Sequence, residues 1–445
     1  MSYLDNILFA ILLIVGFGFF ASSVKKIIRN INLGVDVNRK DNSKARWKNM
    51  ALIALGQSKM VRRPVAGILH IFVYVGFIII NIELLEIIID GLFGTHRVFA
   101  PFLGVIYDVL IASFEILALL VIFAVTVFWI RRNVVRLKRF ANPDLKGFPK
   151  SDANYILYFE TVLMLLFLFM DASDLHLQNV PGGFSHFHRA GSFPISQFIA
   201  PMFNGMSNEL VAILFEVFWW LHIAGILVFM NYLYFSKHLH ILLAFPNTYF
   251  ANLNQEGQFD NLESVTKEVK LMMDPNADPF AAAPVDENAV PSKFGASDVQ
   301  DLNWVQLLNA YTCTECGRCT SSCPANQTGK KLSPRKIMMD TRDRLQEVGK
   351  NIDANKGVFV PDNKTLLNDY ITPEELWACT SCNACVEECP VNISPLSIIM
   401  DMRRYLVMEQ SAAPMSLNAM MTNIENNGAP WQYNQQDRLN WKNEN

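Results

Sequence analysis

Cysteine is absent from the first 312 residues of this 445-residue chain, and all eight cysteines fall between Cys313 and Cys389. The front of the molecule therefore has neither a disulfide framework nor a thiolate metal site. Also missing throughout are a glycine-rich dinucleotide fingerprint, a phosphate-binding P-loop and a nucleophile constellation, so the chain offers no recognisable substrate site of its own. Charge is scarce: Asp, Glu, Lys and Arg make up 18% of the residues and the formal net charge is −3, so nucleic acid is not expected as a partner. The opening MSYLD has no basic flank and no small-residue cleavage site, so the first apolar run reads as a retained helix rather than a secretory signal.

Apolar residues are abundant, at 51% of the chain, and they concentrate before residue 250. Five long runs stand out, at roughly residues 7–21, 65–89, 99–130, 155–170 and 210–235. Each approaches the ~20 residues a helix needs to cross the hydrocarbon core. Buried helices of a soluble domain would be shorter and would keep a polar face. Lys and Arg crowd the stretch between the first two runs, from Lys25 to Arg63, and the stretch after the third, from Arg131 to Lys150. The opposite loops hold little beyond Arg97 and Arg189. The positive-inside rule then puts the N-terminus outside and everything after Lys237 on the cytoplasmic side of a bacterial inner membrane.

The cysteines lie on that cytoplasmic side, where thiols stay reduced and clusters of them serve as metal ligands or redox centres. CTECGRCTSSCP at 313–324 and CTSCNACVEECP at 379–390 share the spacing CxxCxxCxxxCP, the bacterial ferredoxin pattern for [4Fe–4S] clusters. Three close thiolates can wrap one corner set of a cubane, and the fourth, ahead of a proline, reaches the other cluster. This assigns Cys313, Cys316, Cys319 and Cys389 to one cluster and Cys379, Cys382, Cys385 and Cys323 to the second. Tetrahedral zinc would leave the third and fourth cysteine of each motif without a use. A weak repeat follows, SPRKIMMDTRDRL from Ser333 and SPLSIIMDMRRYL from Ser394, each starting with a helix-opening Ser-Pro. The wide separation of the two motifs predicts a helical ferredoxin domain over 301–410. Before it, 251–300 is rich in Pro, Ala, Asp and Asn and reads as an extended linker.

Histidines His70, His222 and His240 lie in or at the ends of the apolar runs, with His238 beside the last. Ionisable residues in a membrane span are functional candidates by default. On one continuous helix, His222 and His240 would share a face five turns apart, about 27 Å along the axis, with His238 pointing elsewhere. Such placement suits haems stacked across a bilayer. Glu83, Glu86, Glu115, Glu160 and Glu216 lie in or near the spans and are candidates for quinone-linked proton chemistry or for structural pairing.

The stretch WLHIAGILVFMNYLYFSKHLHILLAFP at 220–246, with its two histidines and its Phe235-Ser236-Lys237, resembles the last membrane helix of the gamma subunit of respiratory nitrate reductase, a five-helix di-haem cytochrome b. VRRPVAGILHIFVYVGFIII at 61–80 resembles that family's second helix, with His70 at the position of a haem ligand. The resemblance covers about 1–245, and with the ferredoxin motifs the chain resembles heterodisulfide-reductase-like iron–sulfur oxidoreductases. It implies an all-α protein: a five-transmembrane-helix haem-binding bundle over 1–250, then the linker, the two-cluster ferredoxin domain, and a partner-docking tail over 411–445. It implies haem b held by His70 and His240, with His222 for an outer haem. The family's second histidine of that helix is replaced by Ile80, so one or two haems remain open; His176, His186, His188, Met164 and Met170 are the alternative partners for His222. It further implies quinone as substrate and a cytoplasmic CCG-domain subunit as partner, with an electron-transfer flavoprotein or another dehydrogenase as the soluble donor. Other classes compatible with the sequence are a redox-driven ion pump and a membrane redox sensor.

Overall fold

The computed structural model describes residues 3–255, 257–276 and 293–444. Five helices are long and apolar enough to cross a membrane: α1 (Tyr3–Ile31), α2 (Pro64–Phe93), α3 (Val105–Asn133), α4 (Phe148–Gln178) and α5 (Asn208–Tyr232). Local chemistry sets their ends. Pro64 opens α2 after an extended Arg63, and Gly94, at φ +69°, closes it in the left-handed region that a side chain resists. The Ser207 hydroxyl accepts the Leu210 amide at the start of α5. Successive helices α2 to α5 pack side by side, and α1 lies against α5 and α2. The bundle interior is aromatic, with Phe9, Phe114, Phe167 and Trp219 buried, whereas Ile11, Phe19, Phe77, Val109, Phe123 and Leu221 stay exposed. Such a belt of outward apolar side chains fits contact with hydrocarbon.

The last apolar run does not form one helix through to His240. α5 stops at Tyr232, the chain turns through an extended Ser236 (φ −104°, ψ 146°), and a new helix α6 (His240–Tyr249) begins. The buried Asp152 of α4 causes the break: its carboxylate accepts the Tyr232 hydroxyl at 2.5 Å and the Lys237 amide at 3.1 Å. The Ser236 side chain then caps the turn by accepting the His238 amide. The expected common face of His222 and His240 is therefore absent, because the two residues sit on different elements.

Residues 293–410 fold around α7 (Trp304–Thr312), α8 (Pro334–Ala354) and α9 (Pro395–Met408). Ser333 and Ser394 cap α8 and α9, each accepting a backbone amide three residues on, and Pro334 and Pro395 occupy the first helical turn. Among the described residues β pairing is confined to three isolated bridges. The module does not hang free. Ile27, Ile31, Leu233 and Leu239 of the bundle end share one apolar core with Leu307, Ile337, Leu345 and Met402. Asn30 donates to the Tyr311 hydroxyl at 2.8 Å, Trp304 donates to the Val37 carbonyl at 3.1 Å, and Arg335 donates to the Arg139 carbonyl at 2.7 Å. Gly349 is needed at this seam, since a Cβ there would stand 2.5 Å from the Asn30 side chain. All these contacts are at the bundle end that carries the basic loops.

The described parts of the linker expected over 251–300 carry some ordered structure. A helix occupies Glu263–Met273, and Ala296 and Val299 are buried in the module, where Asp298 accepts Arg344 at 3.0 Å. Its Pro- and Ala-rich centre, 277–292, lies outside the described residues. In the tail, a helix at Met415–Asn427 precedes a stretch with Trp431 and Trp441 exposed at 62% and 67%.

Candidate iron–sulfur and haem sites

All eight cysteines are free, and they line two cavities. One is bounded by Cys313, Cys316, Cys319 and Cys389, with Cys385 at its edge. The other is bounded by Cys323, Cys379, Cys382 and Cys385. Each cavity thus takes three cysteines of one motif and the last cysteine of the other. The loops that carry them are bent alike. Glu315 and Ser381, each two residues after the first cysteine of its motif, have φ of 53° and 58°; Gly317 and Asn383, each four residues after it, have φ of 70° and 59°. Left-handed backbone at matched positions curls each loop around its cavity. Gly317 is required for a second reason, because a Cβ there would meet Arg335 Nη1 at 2.6 Å.

The donor set fits iron–sulfur clusters, because four thiols bound each cavity. Burial pushes the Cys313 and Cys385 thiols up to about 12, so their ionisation calls for a strongly positive partner such as iron. Amides already point at sulfur: Ile393 N–H lies 3.3 Å from Cys389 Sγ and Ser381 N–H 3.4 Å from Cys379 Sγ. Such hydrogen bonds tune cluster potentials.

The first cavity faces the membrane bundle. Glu315 pairs with Lys237 and, at 2.8 Å, with Arg342; Arg318 donates to the Lys59 and Met60 carbonyls just before α2; Arg335 pairs with Asp144 between α3 and α4. Although burial pushes the Glu315 carboxyl upward, Lys237 and Arg342 hold it below its ordinary value. The second cavity lies farther out, and its Cys382 is exposed.

Beneath the first cavity, His70 near the start of α2 and His240 at the start of α6 bring their rings to 6.5 Å between centroids, tilted by 37°. Two imidazoles on opposite sides of one iron, with bonds of about 2 Å, would put their ring centres about 6 Å apart. His240 Nδ1 lies 3.0 Å from the Lys237 carbonyl, which leaves Nε2 as the free nitrogen, and the buried His70 Nδ1 has no hydrogen-bond partner. The pair fits a bis-histidine haem. His238 is closer to this site than its sequence position implied: its ring is 5.3 Å from that of His240, but its Nε2 faces Glu160 at 3.5 Å.

His222 is buried deeper in the bundle, with Nδ1 3.0 Å from the Leu163 carbonyl and its ring against Phe167. None of the alternative partners is brought to it by a ring or hydrogen-bond contact described for them: His176 packs on Phe203, and the exposed His186 packs on His96 and Phe187. His188 is exposed, Met170 is buried and Met164 is half-buried on α4. Of the carboxylates, Glu115 caps the loop at Ile195 and Ser196, accepting the Ile195 amide at 2.7 Å, and Glu86 accepts the Phe99 amide at 2.8 Å and the Tyr107 hydroxyl at 2.7 Å. Glu216 is exposed on α5, whereas Glu83 is buried.

Residues 308–393 match the 4Fe-4S dicluster domain family. The chain is 30% identical to the probable iron-sulfur-binding oxidoreductase FadF of Bacillus subtilis (strain 168), over 96% of this chain and 59% of that protein. It is 26% identical to the EtfAB:quinone oxidoreductase of Syntrophomonas wolfei, over 92% of this chain and 55% of that protein. A shorter match, 35% identical over 24% of this chain and 52% of the relative, is to one component of the ferredoxin/F(420)H(2)-dependent CoB-CoM heterodisulfide reductase of Methanosarcina acetivorans. The chain spans less than two thirds of the length of the first two relatives. No solved structure matches it significantly. The chain is related to iron–sulfur electron-transfer oxidoreductases and carries a 4Fe–4S dicluster domain on a set of five membrane-length helices.

Proposed function

We propose that the chain is the membrane-anchored electron-transfer part of a quinone-linked oxidoreductase, joining a cytoplasmic partner to the membrane quinone pool. The observation that carries this reading is the alignment of three sites: an outer cysteine cavity, an inner one sharing Cys385 with it, and the His70–His240 pair beneath. Cys379, Cys382, Cys385 and Cys323 would hold the outer [4Fe–4S] cluster, and Cys313, Cys316, Cys319 and Cys389 the inner one. His70 and His240 would hold a haem b, and His222 is kept for a second. When bound, such groups would accept and release single electrons.

The chain's own residues have other tasks. Arg139 and Arg318 act electrostatically on Cys316, placing positive charge at the inner cavity, and Arg403 grips the carbonyls of Leu376 and Cys379 to fix the outer loop. Glu160 and His238, next to His240, would exchange a proton with a quinone head group. The exposed Cys382 loop faces solvent and would meet the partner. Relatives named as an EtfAB:quinone oxidoreductase and as components of heterodisulfide reductases favour an electron-transfer flavoprotein or a CCG-domain protein there. The basic loops support a cytoplasmic side for this end and an outer side for the N-terminus.

The test is anaerobic addition of a quinol analogue to the chain in membranes, followed by optical and paramagnetic spectroscopy. A reduced b-type band together with reduced-cluster signals is expected. A membrane preparation with no b-type band removes the haem, and clusters inert to every quinol and quinone analogue remove the quinone link.

A further inference from the structure

At the end of the bundle away from the cysteines, α2, α3 and α4 enclose a group that no sequence motif announces. Six carboxyl groups, Glu83, Glu86, Asp90, Glu115, Asp171 and Asp174, are buried there around one buried guanidinium, Arg97. Glu83 lies 19 residues after Pro64, roughly 28 Å along α2 from the cysteine-facing end. Four of the six are fully engaged. Glu86 accepts the Phe99 amide and the Tyr107 hydroxyl, Asp90 accepts the Arg97 amide at 2.7 Å together with the Thr95 hydroxyl, Glu115 accepts the amides of Ile195 and Ser196, and Asp174 accepts Arg97 Nε at 2.5 Å and Gln178 at 3.1 Å.

Glu83 and Asp171 differ. Asp171 accepts Arg97 Nη2 at 2.8 Å through one oxygen, but its Oδ2 is buried without a partner, and so is Glu83 Oε2. Both carboxyls belong to the buried group around Arg97, and each keeps one oxygen that no hydrogen bond reaches. Arg97 also donates from Nη1 to the Tyr107 hydroxyl and from Nε to Asp174, and it is covered on one face by Phe193. Six buried carboxylates around a single guanidinium cannot all stay ionised, and the two with unpaired buried oxygens are the ones left to hold a proton.

We infer that Glu83 and Asp171 form a proton-binding site that holds one proton between them, clamped by Arg97. Asp174 shares Arg97 with Asp171 and leads toward the surface. Asp174 lies 3.6 Å from His96 Nε2, and His96 packs at 5.3 Å on the exposed His186. A proton leaving the pair would pass along these groups and return the same way, so the site exchanges with the side opposite the cysteine cavities.

The experiment is infrared spectroscopy of the membrane-embedded chain at neutral pH in H2O and D2O, with iron and acid-labile sulfide content as the check of assembly. The wild type is expected to show the carbonyl stretch of roughly one buried carboxylic acid, shifting in D2O. Glu83→Gln should remove it, because Asp171 then pairs with Arg97 as an anion, and Asp171→Asn should displace or remove it. A wild type without the band, or a band unmoved in both variants, overturns the inference. So does a band that disappears on replacing choline chloride by sodium chloride, which would mean that a metal cation fills the site. The readout uses neither haem nor quinone, so its failure is distinct from failure of the electron-transfer reading.

Discussion

Replacing Asp152 by alanine should loosen the histidine pair without touching either histidine. Asp152 is 2% exposed, and its carboxylate accepts the Tyr232 hydroxyl and the Lys237 amide, with Lys237 Nζ 3.9 Å away. It holds the turn that ends α5 and starts α6 at His240. Alanine leaves two half-buried donors without an acceptor, at a cost of about 1–3 kcal/mol each. Taking about 3 kcal/mol for the pair, the native turn loses roughly a hundredfold against its open forms. A haem that needs His240 in place should lose occupancy accordingly, while the cysteine cavities, anchored separately by Arg335 and Asp144, keep theirs. Asp152→Asn, which retains one acceptor oxygen, should fall between. The assay is haem per chain from the reduced-minus-oxidised spectrum, normalised to acid-labile sulfide. Full haem in Asp152→Ala would refute this account of the turn.

Cys389→Ser should alter the paramagnetic signal of the cluster assigned to Cys313, Cys316 and Cys319, and Cys323→Ser that of the other; the reverse pairing in the spectra would end the crossover. His70→Ala or His240→Ala should abolish the inner haem, whereas His238→Ala, whose ring nitrogen faces Glu160, should leave haem content nearly unchanged; optical spectra of the three variants decide. Asp362 is held below the usual carboxylate range by its hydrogen bonds from Arg344, so the stability it contributes is present above about pH 4 and lost as pH falls through its lowered value. Asp362→Asn should therefore flatten the acid limb of the thermal unfolding curve of the module, and an unchanged limb would count against the pairing.

The helical runs and the two cysteine motifs were legible because both are local. Runs of about 20 apolar residues have few alternatives to spanning helices, and CxxCxxCxxxCP fixes three ligands within one loop. What escaped is non-local. Nothing around Tyr232 announces a helix end; the cause is Asp152, 80 residues earlier in the chain. Glu115 looks like a proton carrier in its apolar run, yet it serves as an acceptor for a loop 80 residues later. The Arg97 group combines side chains from three helices and the loop between α2 and α3; Glu83, Glu86 and Glu115 stood out in the sequence one by one, but nothing there brought them together around Arg97. The helix at Glu263–Met273 is a local miss: its apolar Val265, Val269 and Met272 recur at helical spacing inside a segment whose overall composition reads as linker.

The most direct measurement is the iron and acid-labile sulfide content of the purified chain, read beside zinc. Two [4Fe–4S] clusters require about eight sulfides and about eight irons per chain beyond haem iron. Zinc in place of iron, with no labile sulfide, would contradict the account at its centre.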